Sequence, residues 1–102
     1  MLIYNTTYHC EQSCYEEFLA WMRKEYIPVA MGHGGLVSPR ISRIMGGDDA
    51  EGVSLSVQFE TEGNDSLSSW YEACGEALVA RLEDKFAQRV AGFSTIMERI
   101  DL

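Results

Sequence analysis

Val53 to Glu60 carries the plainest pattern in the chain: Val53, Leu55, Val57 and Phe59 alternate with Ser54, Ser56, Gln58 and Glu60. That period of two predicts a strand with one buried and one wetter face. Leu2 to Cys10 is rich in Tyr, Thr and Ile, has no Gly or Pro, and also predicts a strand. Leu2, Tyr4, Thr6, Tyr8 and Cys10 share one face; Ile3, Asn5, Thr7 and His9 share the other. A strand apolar on both faces belongs in the centre of its sheet, and the pattern leaves open which face meets the helices. In Leu36 to Met45, Ile41, Arg43 and Met45 alternate with Ser42 and Ile44. Pro39 removes a ladder donor, so this is an edge strand beginning near Val37. Phe93 to Leu102, set off by Gly92, predicts a last strand.

Two stretches follow a helical period instead. Tyr15, Phe18, Leu19, Met22 and Tyr26 recur at spacings of three and four, which gives one apolar stripe. Ser13-Cys14-Tyr15-Glu16 fits a capping box at its start, Pro28 is expected to kink or end the regular helix, and Gly32-His33-Gly34-Gly35 to stop it. Leu67, Trp70, Tyr71, Cys74, Leu78, Leu82 and Phe86 mark a second helix, with Asp65 or Ser66 as its N-cap and a break allowed at Gly75. Gly46 to Gly52 reads as a loop. The expected order is β-α-β-β-α-β in a single domain, residues 1–102. This is the α+β, ferredoxin-like arrangement: a four-stranded antiparallel sheet with two helices on one face. It places strands one and three in the centre and two and four at the edges, and the only strand proline falls on the second. A bare sheet face predicts a homodimer formed through that face.

Composition narrows the partners. Hydrophobic residues make up 46% of 102 positions, enough to fold without metal or disulfide support. The net charge is −8. Between Arg43 and Arg81 stand eight acids, Asp48, Asp49, Glu51, Glu60, Glu62, Asp65, Glu72 and Glu76, and no base. Such a segment repels a phosphate backbone, so nucleic-acid binding is not expected. It reads as a solvated face rather than a docking site for a basic partner. No apolar run reaches the ~20 residues that cross a bilayer, and no membrane association is expected. The start Met1-Leu2-Ile3-Tyr4 lacks a basic region, and Cys10, Cys14 and Cys74 are odd in number; both suggest a cytoplasmic protein with free thiols.

No complete catalytic constellation appears. His9 and Cys10 point to opposite faces of one strand, and no second ligand pair follows Cys10 and Cys14, so no metal site is expected. Cys14 near a helix start could carry a lowered pKa, but only His9 and His33 could serve it as a base. The glycine clusters match no phosphate-binding fingerprint, and the adjacent carboxylates do not span a substrate. The informative set lies on the strands. Ser54, Ser56 and Gln58 share a face and would lie beside Asn5, Thr7 and His9 if the registers agree, with Arg43 and Glu98 able to join from the edges. They form either a hydrogen-bonded, partly wet dimer interface, which we favour, or the lining of a polar cavity.

Four segments carry a resemblance: Ile3-Tyr4-Asn5-Thr6-Thr7, Glu25-Tyr26-Ile27-Pro28, Ser38-Pro39-Arg40 and Met97-Glu98-Arg99-Ile100-Asp101-Leu102. They resemble a family of bacterial proteins catalogued as a domain of unknown function, over essentially the whole chain. The resemblance implies the ferredoxin-like fold and the dimeric α/β-barrel group, and no activity. That group includes small monooxygenases that oxidise quinols or degrade haem without another prosthetic group. Its haem-degrading members use an asparagine on the first strand and a tryptophan and histidine toward the second helix. Asn5 and Trp70 stand in matching elements, but Gln58 to Leu102 contains no histidine, so the axial ligand is missing and no cofactor is expected. The leading expectation is a homodimeric domain that binds a small ligand or partner, with Asn5, His9, Gln58 and Trp70 as ligand-binding candidates. The alternative is a cofactor-independent monooxygenase acting on an aromatic or quinol substrate. That substrate would sit between sheet and second helix, touching Asn5 and Trp70.

Overall fold

β3 (Val53–Thr61) keeps its alternation in three dimensions: every odd-numbered residue is buried and every even-numbered one is half-buried. The computed structural model describes residues 1–46 and 51–102. β3 pairs antiparallel with β1 (Leu2–Cys10), β1 pairs with β4 (Val90–Glu98), and β2 (Val37–Arg43) closes the other edge. The sheet order is β2-β3-β1-β4, with β1 and β3 central as the sequence predicts.

Pro39 sits where an edge strand can hold it. A register shift separates Val37 and Arg40, and Ser38 takes a positive φ of 56° beside the proline. The bulge lets the chain pass the missing amide without breaking a central ladder. Pairing also sets the strand ends. β4 begins at Val90, earlier than the sequence suggests, because Val90 pairs with Cys10. It stops at Glu98, short of the expected Leu102, because its partner Leu2 is the first residue of β1. Gly92 therefore lies inside the strand, where a Cβ would come within 2.7 Å of the Tyr8 ring. The loop expected over 46–52 falls partly outside the described residues.

Both helices are longer and less regular than their sequences suggest. The first rod comprises a 3-10 turn (Gln12–Cys14), α1 (Tyr15–Trp21), a π-helical turn (Met22–Tyr26) and α2 (Ile27–Gly32). Pro28 does not end it. The proline falls at the start of α2, just past the π turn, in which the Ile27 N–H bonds back to the Met22 carbonyl. Lys24, whose carbonyl would crowd the proline ring in a regular helix, lies inside that wider turn. The expected capping box is not made: no side chain caps the start, and the Cys14 N–H bonds to the Glu11 carbonyl instead.

The second rod comprises α3 (Asn64–Trp70), a π turn (Tyr71–Gly75) and α4 (Glu76–Phe86), followed by a 3-10 turn (Ala87–Arg89). It starts one residue before the predicted caps, after Gly63, and neither Asp65 nor Ser66 caps it. The break allowed at Gly75 is this π turn. A Cβ on Gly75 would lie 2.5 Å from the Trp70 ring, so only glycine lets the indole lie across the helix.

Ring contacts show which face the helices cover. Tyr8 meets Phe18 with centroids 5.2 Å apart, Tyr26 meets Phe59 at 6.4 Å, and Tyr4 meets Trp70 at 5.7 Å. The even-numbered face of β1 thus joins the odd-numbered face of β3 beneath both rods, in one buried cluster. The other face, carrying Asn5, Thr7 and His9, has no helix over it. Among the described residues, no helix is long and apolar enough to cross a membrane.

Candidate functional site

Two polar regions form, on opposite sides of the sheet. On the open face, β1–β3 pairing aligns Asn5 with Gln58, Thr7 with Ser56 and His9 with Ser54, the agreement of registers that would join those side chains. Ser56 Oγ donates to Asn5 Oδ1, and Asn5 Nδ2 donates to Thr7 Oγ1 at 3.2 Å. His9 Nδ1 and Ser54 Oγ lie 3.1 Å apart. Arg99 reaches across to Glu60 at 3.0 Å. Around this polar centre stand exposed apolar side chains: Phe93, Met97 and Val37. Of the edge residues expected to join, Arg43 pairs opposite Leu55 and so belongs to the helix-covered face, as does Glu98 opposite Leu2.

On the covered side, a cleft of about 420 Å³ opens between the sheet and the second rod. Tyr4, Ser94 and Ile96 form its floor, from β1 and β4. Leu67 and Ser68 of α3, with Tyr71 and Glu72 of the π turn, form its wall. The extra residue of a π turn re-aims the side chains it carries. The cleft exists because β4 is thinly covered: past Val90 every residue of the strand is exposed.

A row of hydroxyls runs from this floor into the core. Ser94 Oγ donates to the Tyr4 hydroxyl at 3.4 Å and lies 2.9 Å from Thr6 Oγ1. Tyr8 hydrogen-bonds with Thr6 and with Tyr26. Burial pushes the Tyr8 hydroxyl up to about 12, partly offset by the bond from Tyr26. Burial also raises Tyr26, and there its bond to Tyr8 raises it further.

The four ligand-binding candidates are therefore divided. Asn5, His9 and Gln58 share the open face. Trp70 lies 1% exposed beneath it, among the helices, its indole N–H donating to the Ala30 carbonyl at 3.0 Å. Asn5 and Trp70 cannot touch one substrate between sheet and second rod, and the cleft there is lined by neither. The strand period explains the correction: Asn5 is odd-numbered on a strand whose even face meets the helices. The cleft's own residues, Tyr4, Ser94, Tyr71 and Glu72, were not singled out from sequence. Their grouping depends on the β1–β4 register, which places Ile96 opposite Tyr4 and Ser94 opposite Thr6.

The thiols are buried and unpaired. Burial pushes Cys10 up to about 11 and raises Cys74. Cys14 is 1% exposed, its thiol on the Arg89 carbonyl at 3.8 Å, so the helix-start cysteine considered from sequence is buried.

Fold and element order define an α+β protein of the ferredoxin-like class. The chain belongs to the family described as a domain of unknown function, DUF4286, whose model matches residues 1–100. No curated protein matches it. Among solved structures it is similar to an ethyl tert-butyl ether D (EthD) family protein of Bacillus halodurans, with 16% identity and a TM-score of 0.73 over 98% of this chain and 100% of that one. It is also similar to a dimeric ferredoxin-like protein from an uncultured marine organism, with 14% identity and a TM-score of 0.71 over 100% and 97%. A protein of Agrobacterium tumefaciens matches at 16% identity and TM-score 0.71, over 98% and 94%. At these identities the likeness is one of fold.

Proposed function

We propose that the protein is a cytoplasmic, single-domain homodimer whose copies meet open face to open face, each binding a small, largely apolar molecule in the cleft beside β4. The cleft carries the reading. Its volume of about 420 Å³ falls within the roughly 300–1,000 Å³ of small-molecule sites, and apolar walls over a few fixed polar groups are what such sites present. The dimer is supported by Phe93, Met97 and Val37, exposed around the hydrogen-bonded centre of the uncovered face. A neighbour of the same fold is described as dimeric. Apolar contacts would close around a polar, partly wet middle, where Asn5, His9 and Gln58 serve the interface rather than a ligand.

Native mass spectrometry of gently purified protein tests both halves. The expected result is a dimer carrying a reproducible extra mass, with Phe93→Glu shifting the population to monomer. A wild-type monomer at micromolar concentration would sink the dimer. A dimer that retains nothing, and whose Leu67, Tyr71 and Ile96 amide signals respond to no small apolar probe, would sink the cleft as a binding site.

A further inference from the structure

We infer that the cleft selects a neutral, mostly apolar molecule carrying one hydrogen-bond acceptor oxygen, such as a ketone or an ether, which takes the hydrogen of the Tyr4 hydroxyl. This rests on the cleft being the binding site and adds what it binds.

A short row of hydroxyls leads to the cleft floor. Each hydroxyl has a single hydrogen to give and lone pairs to receive others. Thr6 Oγ1 lies 2.9 Å from Ser94 Oγ, and Ser94 in turn donates to the Tyr4 oxygen. Ser94 has one hydrogen and gives it to Tyr4, so Thr6 supplies the hydrogen between Thr6 and Ser94; both donations run toward the cleft, and such chains polarise their members in the same direction. Tyr4 ends the row. Its oxygen receives a hydrogen from Ser94, its own hydrogen has no acceptor among the described residues, and it lines the cleft floor. The floor therefore offers a donor, with the hydroxyls of Ser94 and Thr6 behind it.

Charge selects as well. The cleft wall carries Glu72 and no basic residue, and no Lys or Arg occurs from Ile44 to Ala80. An anion entering there would lose water and find no counter-charge. A cation would find Glu72 at the wall, yet it could not accept from Tyr4, and the floor donor would remain unpaired.

Four probes on one skeleton separate these terms: 1-tetralone (an acceptor), tetralin (no polar group), 2-aminotetralin (a cation) and tetralin-2-carboxylate (an anion). Each is titrated against the full-length protein while the Leu67, Tyr71 and Ile96 amides are followed by NMR. One hydrogen bond predicts that tetralone binds roughly five- to tenfold more tightly than tetralin, with the carboxylate weakest. Tyr4→Phe should bring tetralone down to the level of tetralin and leave tetralin unchanged. Thr6→Val, behind Ser94 and outside the cleft lining, should reduce the same ratio in part, which a purely structural role would not do. Equal binding of tetralone and tetralin, or tightest binding of the amine, overturns the acceptor selection while leaving the site standing. If no probe moves those amides, the site itself fails and the inference goes with it. Should Tyr4→Phe not fold, Ser94→Ala removes the donor behind Tyr4 and must lower the ratio in the same direction.

Discussion

The two faces of the sheet are built from the same strands and do opposite things. Beneath the helices, Tyr8, Cys10, Val53, Leu55, Val57 and Phe59 are all buried in one cluster. On the other side, Asn5, Thr7, His9, Ser54, Ser56 and Gln58 answer one another residue for residue across β1 and β3. The first face holds the fold through area removed from water, at roughly 25 cal/mol per Å² of apolar surface. The second pairs Asn5 with Ser56 and Thr7 and His9 with Ser54, and so tolerates either water or a second copy. Stability and assembly are thus assigned to separate sides of a single sheet.

The sharpest test sets one residue of each face against the other. Phe18 is fully buried and its ring meets Tyr8, Trp21 and Phe86, so Phe18→Ala should cost about 3–5 kcal/mol in urea unfolding. Ser56→Ala removes one hydrogen bond to Asn5 and should cost about 1 kcal/mol. Comparable losses from both would mean that the open face supports the fold as much as the covered one does.

A glycine pair sharpens the picture within the covered side. Helix propensity favours alanine over glycine by about 1 kcal/mol. At Gly32, with nothing within 4 Å of a new Cβ, alanine should be neutral or mildly stabilising. At Gly75 the new methyl would meet the Trp70 ring at 2.5 Å. Gly75→Ala should therefore cost about 1–3 kcal/mol as the indole is displaced, with a shift in tryptophan fluorescence. A stabilised Gly75→Ala would show that Trp70 is free to move.

Alkaline pH should act on the covered face alone. Cys10 rises from about 9 to about 11 on burial, and Cys74 rises too. A thiol raised on folding leaves the native state holding more protons than the unfolded chain above pH 9. The stability it contributes is fully present below about pH 9 and is lost as pH climbs through 11. Urea midpoints at pH 8 and 10.5 should show the decline, and Cys10→Ala should flatten it in part, since the raised Tyr8 and Tyr26 hydroxyls contribute to it as well. A curve unchanged by that substitution would place the titration elsewhere.

Much of this was legible in the chain, for identifiable reasons. Val53 to Phe59 alternates strictly and Pro39 admits only an edge, so strand order could be read without coordinates. The join of Ser54, Ser56 and Gln58 to Asn5, Thr7 and His9 needed only the β1–β3 register. Helix ends were not legible: Ser13 and Glu16 satisfy the capping pattern, yet a 3-10 turn held by Glu11 takes their place. The cleft was hidden more deeply. Tyr4, Ser94, Tyr71 and Glu72 come from three elements, and two of them ride on a π turn, which apolar periodicity cannot foresee.

The smallest expected effect concerns the one exception on the covered face. Thr61 ends the buried row of β3 at 1% exposure. Among the described residues, its Oγ1 is the one buried side-chain oxygen or nitrogen without a hydrogen-bond partner. A buried hydroxyl left unpaired carries a desolvation cost that a methyl of the same shape does not. Thr61→Val should thus leave the protein unchanged or stabilise it by no more than about 1 kcal/mol, read as a small rise in the urea midpoint at constant slope. A loss of stability would mean that this hydroxyl is satisfied in solution. The covered face would then contain a polar anchor of its own, and the division between the two faces would be less complete than the side-chain pattern makes it.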